Sequence, residues 1–147
     1  MFALTDSPID DAAVARSVET TAAGAVVVFR GTVRDSTKGR RVLFLEYEAY
    51  PPMALAQMRR IADEVVRRHG LLGLSCAHRT GRLELGETAI VVAASSRHRR
   101  AALEAIDEFV ARVKRDVPVW KKEHFEDGAV WVGTPEDPQA ERVESQR

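Results

Sequence analysis

The sequence predicts an α+β fold, a mixed and largely antiparallel sheet packed by about three helices. Three observations carry this. Apolar residues recur at helical spacing over Met58–Val66 and again over Ala102–Val113. Runs rich in β-branched residues, such as Ala25–Phe29 and Thr88–Ala94, read as strands. Tight turn signals at Gly81, Gly86 and Asp127-Gly128 join several of these strands, and short connections of that kind suit antiparallel neighbours.

Taken in order, Phe2–Leu4 forms a short opening strand. Ser7-Pro8 reads as an N-cap followed by proline at the first helical position, starting a helix over Pro8–Glu19 that buries Ile9, Ala13 and Val14. Gly24 breaks that pattern. Ala25–Val33 reads as a buried strand, and Asp35–Arg41 as a flexible polar loop. Val42–Tyr50 alternates as a strand, with Leu43, Leu45, Tyr47 and Ala49 on one face. Pro51-Pro52 stops it and opens a second helix over Met53–His69, which Gly70 ends.

Leu74–Arg79, Arg82–Leu85 and Thr88–Ala94 read as three strands. A third helix covers Arg97–Arg115, with Ala102, Leu103, Ile106, Phe109, Val110 and Val113 as its apolar side. Pro118 forces its end, because proline disfavours helical backbone in the residue before it. Val119–Phe125 and Ala129–Val132 pair around Asp127-Gly128. Residues 1–133 read as one domain. Residues 134–147 are charged and proline-punctuated, and read as a flexible tail.

Composition narrows the function. Basic and acidic residues both number 22, so there is no cationic excess of the kind that marks bulk nucleic-acid binding. No apolar run approaches the ~20 residues of a membrane helix, and Met1–Asp10 lacks the apolar segment of a signal peptide. The single cysteine, Cys76, cannot form an internal disulfide and suits a reducing, cytoplasmic setting. It lies in a strand-like run and reads as a small buried hydrophobe. The four histidines show no metal-ligand spacing. Neither a metal nor a cofactor is expected, since phosphate-loop, dinucleotide and Cys-x-x-Cys motifs are all absent.

Three stretches can carry chemistry. Ser95-Ser96-Arg97-His98-Arg99-Arg100 joins a strand to the third helix. Basic side chains there oppose the helix dipole, so a bound anion would offset the repulsion. Lys114–Glu123 contains three lysines. Lys121 and Lys122 must point to opposite faces of their strand, so one can enter a pocket while the other meets solvent. A lysine desolvated near other cations can act as base or nucleophile. Phe29–Arg34 ends in Arg34, whose guanidinium can grip phosphate.

His98 and Lys114 are sixteen residues apart on one helix. At 1.5 Å per residue that is roughly 24 Å, too far for one small pocket. Either there are two sites or a second copy completes one, which predicts a symmetric homodimer.

The segments Phe29–Arg34, Leu45–Tyr50 with Met53, His78–Leu83 with Gly86-Glu87, Ser96–Arg99 and Val117–Glu123 together resemble the large, catalytic subunit of molybdopterin synthase. The resemblance covers about Gly24 to Trp131. It implies an α/β hammerhead-type fold and sulfurtransferase activity in molybdenum cofactor biosynthesis. It implies a homodimer that binds one small ubiquitin-like sulfur-carrier subunit at each end, giving a heterotetramer. The carrier's Gly-Gly thiocarboxylate would enter a pocket that holds cyclic pyranopterin monophosphate. Carried over by position, Thr32, Val33, Arg34, His98, Arg99, Lys114, Lys121, Lys122 and Glu123 would bind substrate, with Lys114 and Lys121 catalytic and His98 and Arg99 supplied by the neighbouring copy. Read without the resemblance, the same residues also suit a non-catalytic module that captures an acidic protein C-terminus, or a lysine-dependent enzyme acting on another phosphorylated metabolite.

Overall fold

The computed structural model describes residues 1–132, so the expected tail lies outside the described residues. In chain order the elements are β1 (Phe2–Thr5), α1 (Asp11–Arg16), β2 (Ala25–Thr32), β3 (Ser36–Thr37), β4 (Arg40–Ala49), α2 (Pro51–His69), β5 (Gly73–Arg79), β6 (Gly81–Glu84), β7 (Thr88–Ser96), α3 (Arg99–Asp116), β8 (Val119–Phe125) and β9 (Gly128–Val132). The α+β class and the three helices hold, but the strands form two sheets. One runs β1-β5-β7-β2. The other runs β3-β4-β8-β9, with β6 also paired to β4. Among the described residues only β1 and β5 pair in parallel; every other ladder is antiparallel.

The main core lies between the first sheet and α2 and α3. Met58, Ile61 and Val65 of α2 meet Ala102, Phe109 and Val113 of α3 over Cys76, Val92 and Ala94. Burying each large side chain here contributes about 1.5–3 kcal/mol. The opposite face is covered by α1 through Val14, with Val18, Ala77, Val91 and Ala93. The second sheet has its own core of Val42, Leu45, Leu83, Phe125 and Val130, joined by Ala89 of β7 and by Val33, which follows β2. No helix among the described residues is long and apolar enough to cross a membrane.

Several local expectations change. α1 begins at Asp11, not Pro8, because Asp10 caps it by accepting from Ala13 N–H at 3.0 Å. It stops at Arg16, where the Ser17 hydroxyl donates to the Val14 carbonyl at 2.6 Å and contacts Ser75 Oγ at 2.8 Å. α2 starts two residues earlier than expected, with its prolines in the first turn where no N–H is needed. Asp35–Arg41 is largely a tight hairpin, since Lys38 and Gly39 both adopt positive φ (51° and 79°) and reverse β3 into β4.

Leu43 is exposed rather than buried. The β4–β8 register shifts between Val42 and Phe44, and this bulge swaps the faces, putting Val42 in the core. β2 is an edge strand and not a buried one. Val26 and Val28 remain 42% and 41% exposed because the six-residue α1 is too short to cover them. Leu103, expected on the apolar side of α3, is 52% exposed.

Candidate active site

Pro118 sets the geometry around Lys114. Val117 adopts the extended conformation that a residue before proline prefers, with φ −83° and ψ 132°, so α3 stops at Asp116. Lys114 therefore stands in the last helical turn, where a cation is favoured by the helix dipole. The chain then reverses into β8 alongside β4. Lys121 comes to lie opposite Tyr47, and Glu123 opposite Leu45. Alternation puts Lys121 and Glu123 on the inner face of this sheet.

Glu123 is only 2% exposed. Its Oε1 is 3.1 Å from Lys121 Nζ, and its Oε2 is buried with no hydrogen-bond partner among the described residues. Beside it, the ring of Tyr47 meets the ring of His78 edge-on, with centroids 4.9 Å apart. His78 lies near the end of β5 and is buried. Its Nδ1 lies 2.7 Å from the Arg79 carbonyl, so Nδ1 carries the proton and Nε2 the lone pair. Burial, opposed in part by that hydrogen bond, and the nearby charge of Lys114 push His78 down to about 4. Burial, then the charge of Glu123, push the Tyr47 phenol up to about 12. Both rings are neutral at physiological pH, among groups that carry charge. Lys114, His78, Tyr47, Lys121 and Glu123 form a chain of neighbours at one end of the molecule.

The other expected residues distribute unevenly. Val33 is a core residue of the second sheet, its N–H donating to the Glu87 carbonyl at 2.9 Å. Arg34 follows it and is exposed. Thr32 is exposed too, but it lines an open cleft with Asp11, Ala12, Ala15, Val28 and Arg30 on the α1 side, whereas Lys114 belongs to the helix on the opposite face. Lys122 is on the outer face of β8, its Nζ 5.3 Å from the Trp131 ring centre. The fold therefore joins Lys114, Lys121 and Glu123, and leaves Thr32 and Lys122 on other surfaces.

His98 and Arg99 lie at the far end of α3. His98 is its N-cap residue without a side-chain capping bond, and Arg97 to Arg100 are all exposed. Ser96 Oγ donates to the His98 carbonyl at 2.5 Å, and Ser95 Oγ is buried without a hydrogen-bond partner among the described residues. β7 extends to Ser96, so both serines belong to the strand and not to a loop. The arginine end and the lysine end of α3 do not meet within one chain.

Cys76 is fully buried, and burial pushes its thiol up to about 12. It offers neither a thiolate nor access. Tyr47 and His78 were not singled out as site residues from the sequence. The signal that could have found them is position: each falls in a segment that also carries the resemblance, and Tyr47 pairs with Lys121 across the β4–β8 ladder.

Comparison with known proteins identifies the family. The sequence model of the MoaE protein family matches residues 4–116. The molybdopterin synthase catalytic subunit of Bacillus subtilis (strain 168) is 44% identical over 132 residues, covering 90% of this chain and 84% of that protein. The subunit of the same name from Halalkalibacterium halodurans is 45% identical, covering 90% and 85%. The crystal structure of molybdopterin synthase from Staphylococcus aureus superposes with a TM-score of 0.84 at 40% identity, covering 88% of this chain and 95% of that one. With these identities over most of its length, on a matching two-sheet, three-helix fold, the chain belongs to the MoaE family.

Proposed function

We propose that the chain is the catalytic half of a molybdopterin synthase, transferring sulfur from the C-terminal thiocarboxylate of a small ubiquitin-like carrier to cyclic pyranopterin monophosphate. The observation that carries this is the lysine cluster at the end of α3 and the start of β8, in a chain whose one thiol is sealed in the core. The sulfur must then come from outside. Both the donor tail and the substrate phosphate are anions, which a cationic site can hold together.

Lys114 positions the thiocarboxylate and assists attack or proton transfer. Lys121 binds substrate and stabilises negative charge as it develops, held in place by Glu123. Arg34 grips phosphate. His98 and Arg99 reach the same pocket from a second copy. In support of that last role, Arg99, Leu103, Val110 and Lys114 share the side of α3 that faces away from α2, because Glu108 and Arg112 on the other flank pair with Arg68 and Glu64 of α2. An antiparallel partner helix would set Leu103 against Val110 and Arg99 near Lys114, beside the exposed edge of β2. That arrangement covers Leu103 and supplies each pocket with its missing half.

The test is reconstitution with a thiocarboxylated carrier and the pterin precursor. Formation of the dithiolene product is expected. Binding of the carrier without turnover would instead support a non-catalytic module.

A further inference from the structure

The cations account for how the pocket holds anions, but a pterin also presents a neutral edge of N–H and C=O groups. A second set of groups in the same place is suited to that edge. The Tyr47 hydroxyl makes no hydrogen bond among the described residues, although its ring is fixed against His78 at 4.9 Å. Glu123 Oε2 is a buried acceptor without a partner among those residues. A buried carboxylate oxygen left unpaired is costly, and in a native structure it marks a place where a donor is missing. On its β6 side Tyr47 is opposite Gly81, which carries no side chain, and a Cβ added there would meet nothing within 4 Å.

We propose that Tyr47 is a further substrate-binding residue, its O–H and the free oxygen of Glu123 reading the neutral edge of the heterocycle, and that His78 is the positioning residue that sets the Tyr47 ring. This rests on the functional reading above and deepens it. His78 acts through packing: the proton on Nδ1 ties it to the Arg79 carbonyl, which orients the imidazole and so fixes the phenol it abuts. Arg79 is itself held, its guanidinium donating to the Asp6 carbonyl at 3.2 Å, so the strand end beneath the pair has little freedom. A neutral donor is what this position calls for, since another charge would compete with Lys121 for Glu123.

The experiment combines binding with steady-state kinetics of the complex. Tyr47→Phe keeps the ring and its contact and removes only the O–H. It is expected to raise KM for the pterin precursor about tenfold, the loss of one buried hydrogen bond, with kcat within about twofold and thermal stability unchanged. Binding of an unphosphorylated pterin should weaken by a similar factor, while binding of inorganic phosphate stays the same. His78→Phe should raise KM alone, yet add less than about twofold in the Tyr47→Phe background, because it works through the phenol.

An unchanged KM in Tyr47→Phe, or a weakening of phosphate equal to that of pterin, overturns the assignment of Tyr47. A His78 effect of full size in the double variant overturns its positioning role. A wild type that binds pterin but makes no product refutes the catalytic reading while leaving Tyr47 testable by binding. A wild type that binds no pterin refutes both.

Discussion

Lys121 Nζ stands 3.1 Å from one oxygen of Glu123, a carboxylate buried to 2% exposure whose second oxygen has no hydrogen-bond partner among the described residues. The pair is lopsided, since the lysine side chain is 34% exposed and the carboxylate almost fully enclosed. Removing the lysine strands a buried charge, whereas neutralising the carboxylate merely frees a solvated cation. Lys121→Ala should therefore destabilise the protein more than Glu123→Gln, by about 2 kcal/mol against about 1 or less. Urea unfolding of both variants checks the order.

Lys114 lies on the exposed side of the last turn of α3. Lys114→Ala should leave the melting temperature within a few degrees of wild type and reduce sulfur transfer by about 10²-fold or more. Single-turnover formation of product from thiocarboxylated carrier measures this. Near-normal transfer by a folded Lys114→Ala protein would remove it from the chemistry.

If each pocket is built from two copies, two dead variants can repair one another. His98→Ala and Lys114→Ala should each be inactive alone. After mixing and subunit exchange, the hybrid dimer has one intact pocket, so about one quarter of wild-type activity should return for random pairing. Leu103→Asp should shift the dimer toward monomer in light scattering and abolish that recovery. No recovery from fully exchanged mixtures would place both halves of the site in one chain or in separate sites.

His78 is pushed from 6.5 down to about 4, mainly by burial. Its folded form therefore resists the proton that the unfolded chain accepts. Stability contributed by the neutral ring is complete above about pH 6.5 and declines as pH falls toward 4, by about 3 kcal/mol in all. His78→Phe cannot take up that proton. The difference between wild-type and variant unfolding free energies should thus change through this window and flatten above it. A difference that is constant from pH 7 to 4.5 would contradict a buried neutral histidine.

Cys76 should be chemically silent. Its thiol is pushed up to about 12 and is fully enclosed, so a maleimide or disulfide reagent should label it only in denaturant. Cys76→Ala should cost about 1 kcal/mol in stability and retain sulfur transfer. Loss of transfer in a folded Cys76→Ala protein would mean that the chain itself carries sulfur.

The elements most legible in the sequence are those with sustained periodicity. α2 and α3 show helical spacing over several turns, and Pro118 marks where the second must stop. Their neighbours' ends are less legible. Asp10 competes with Ser7 as the cap of α1 and wins by accepting from Ala13. The bulge at Leu43 leaves no trace in the sequence, because one extra residue reverses every later side chain while leaving composition unchanged. Val26, Val28 and Leu103 are apolar by sequence but exposed by position, since hydrophobicity does not reveal which strand lies at a sheet edge or which flank of a helix lacks a neighbour.

The basic run before α3 and the lysine run after it can be recognised from the sequence alone, as can their separation of roughly 24 Å, because helix rise is fixed by backbone hydrogen bonding. Strand alternation likewise requires Lys121 and Lys122 to take opposite faces. What only the tertiary structure decided is which lysine faces inward, and with whom. Lys121 meets Tyr47 because β8 pairs with β4 in one register, and Tyr47 meets His78 because β5 ends against the second sheet. Tyr47 and His78 precede Lys121 by 74 and 43 residues, while Glu123 is its near neighbour in the same strand. Contacts at the longer separations are set by how sheets stack and register, and no local pattern of residues encodes them.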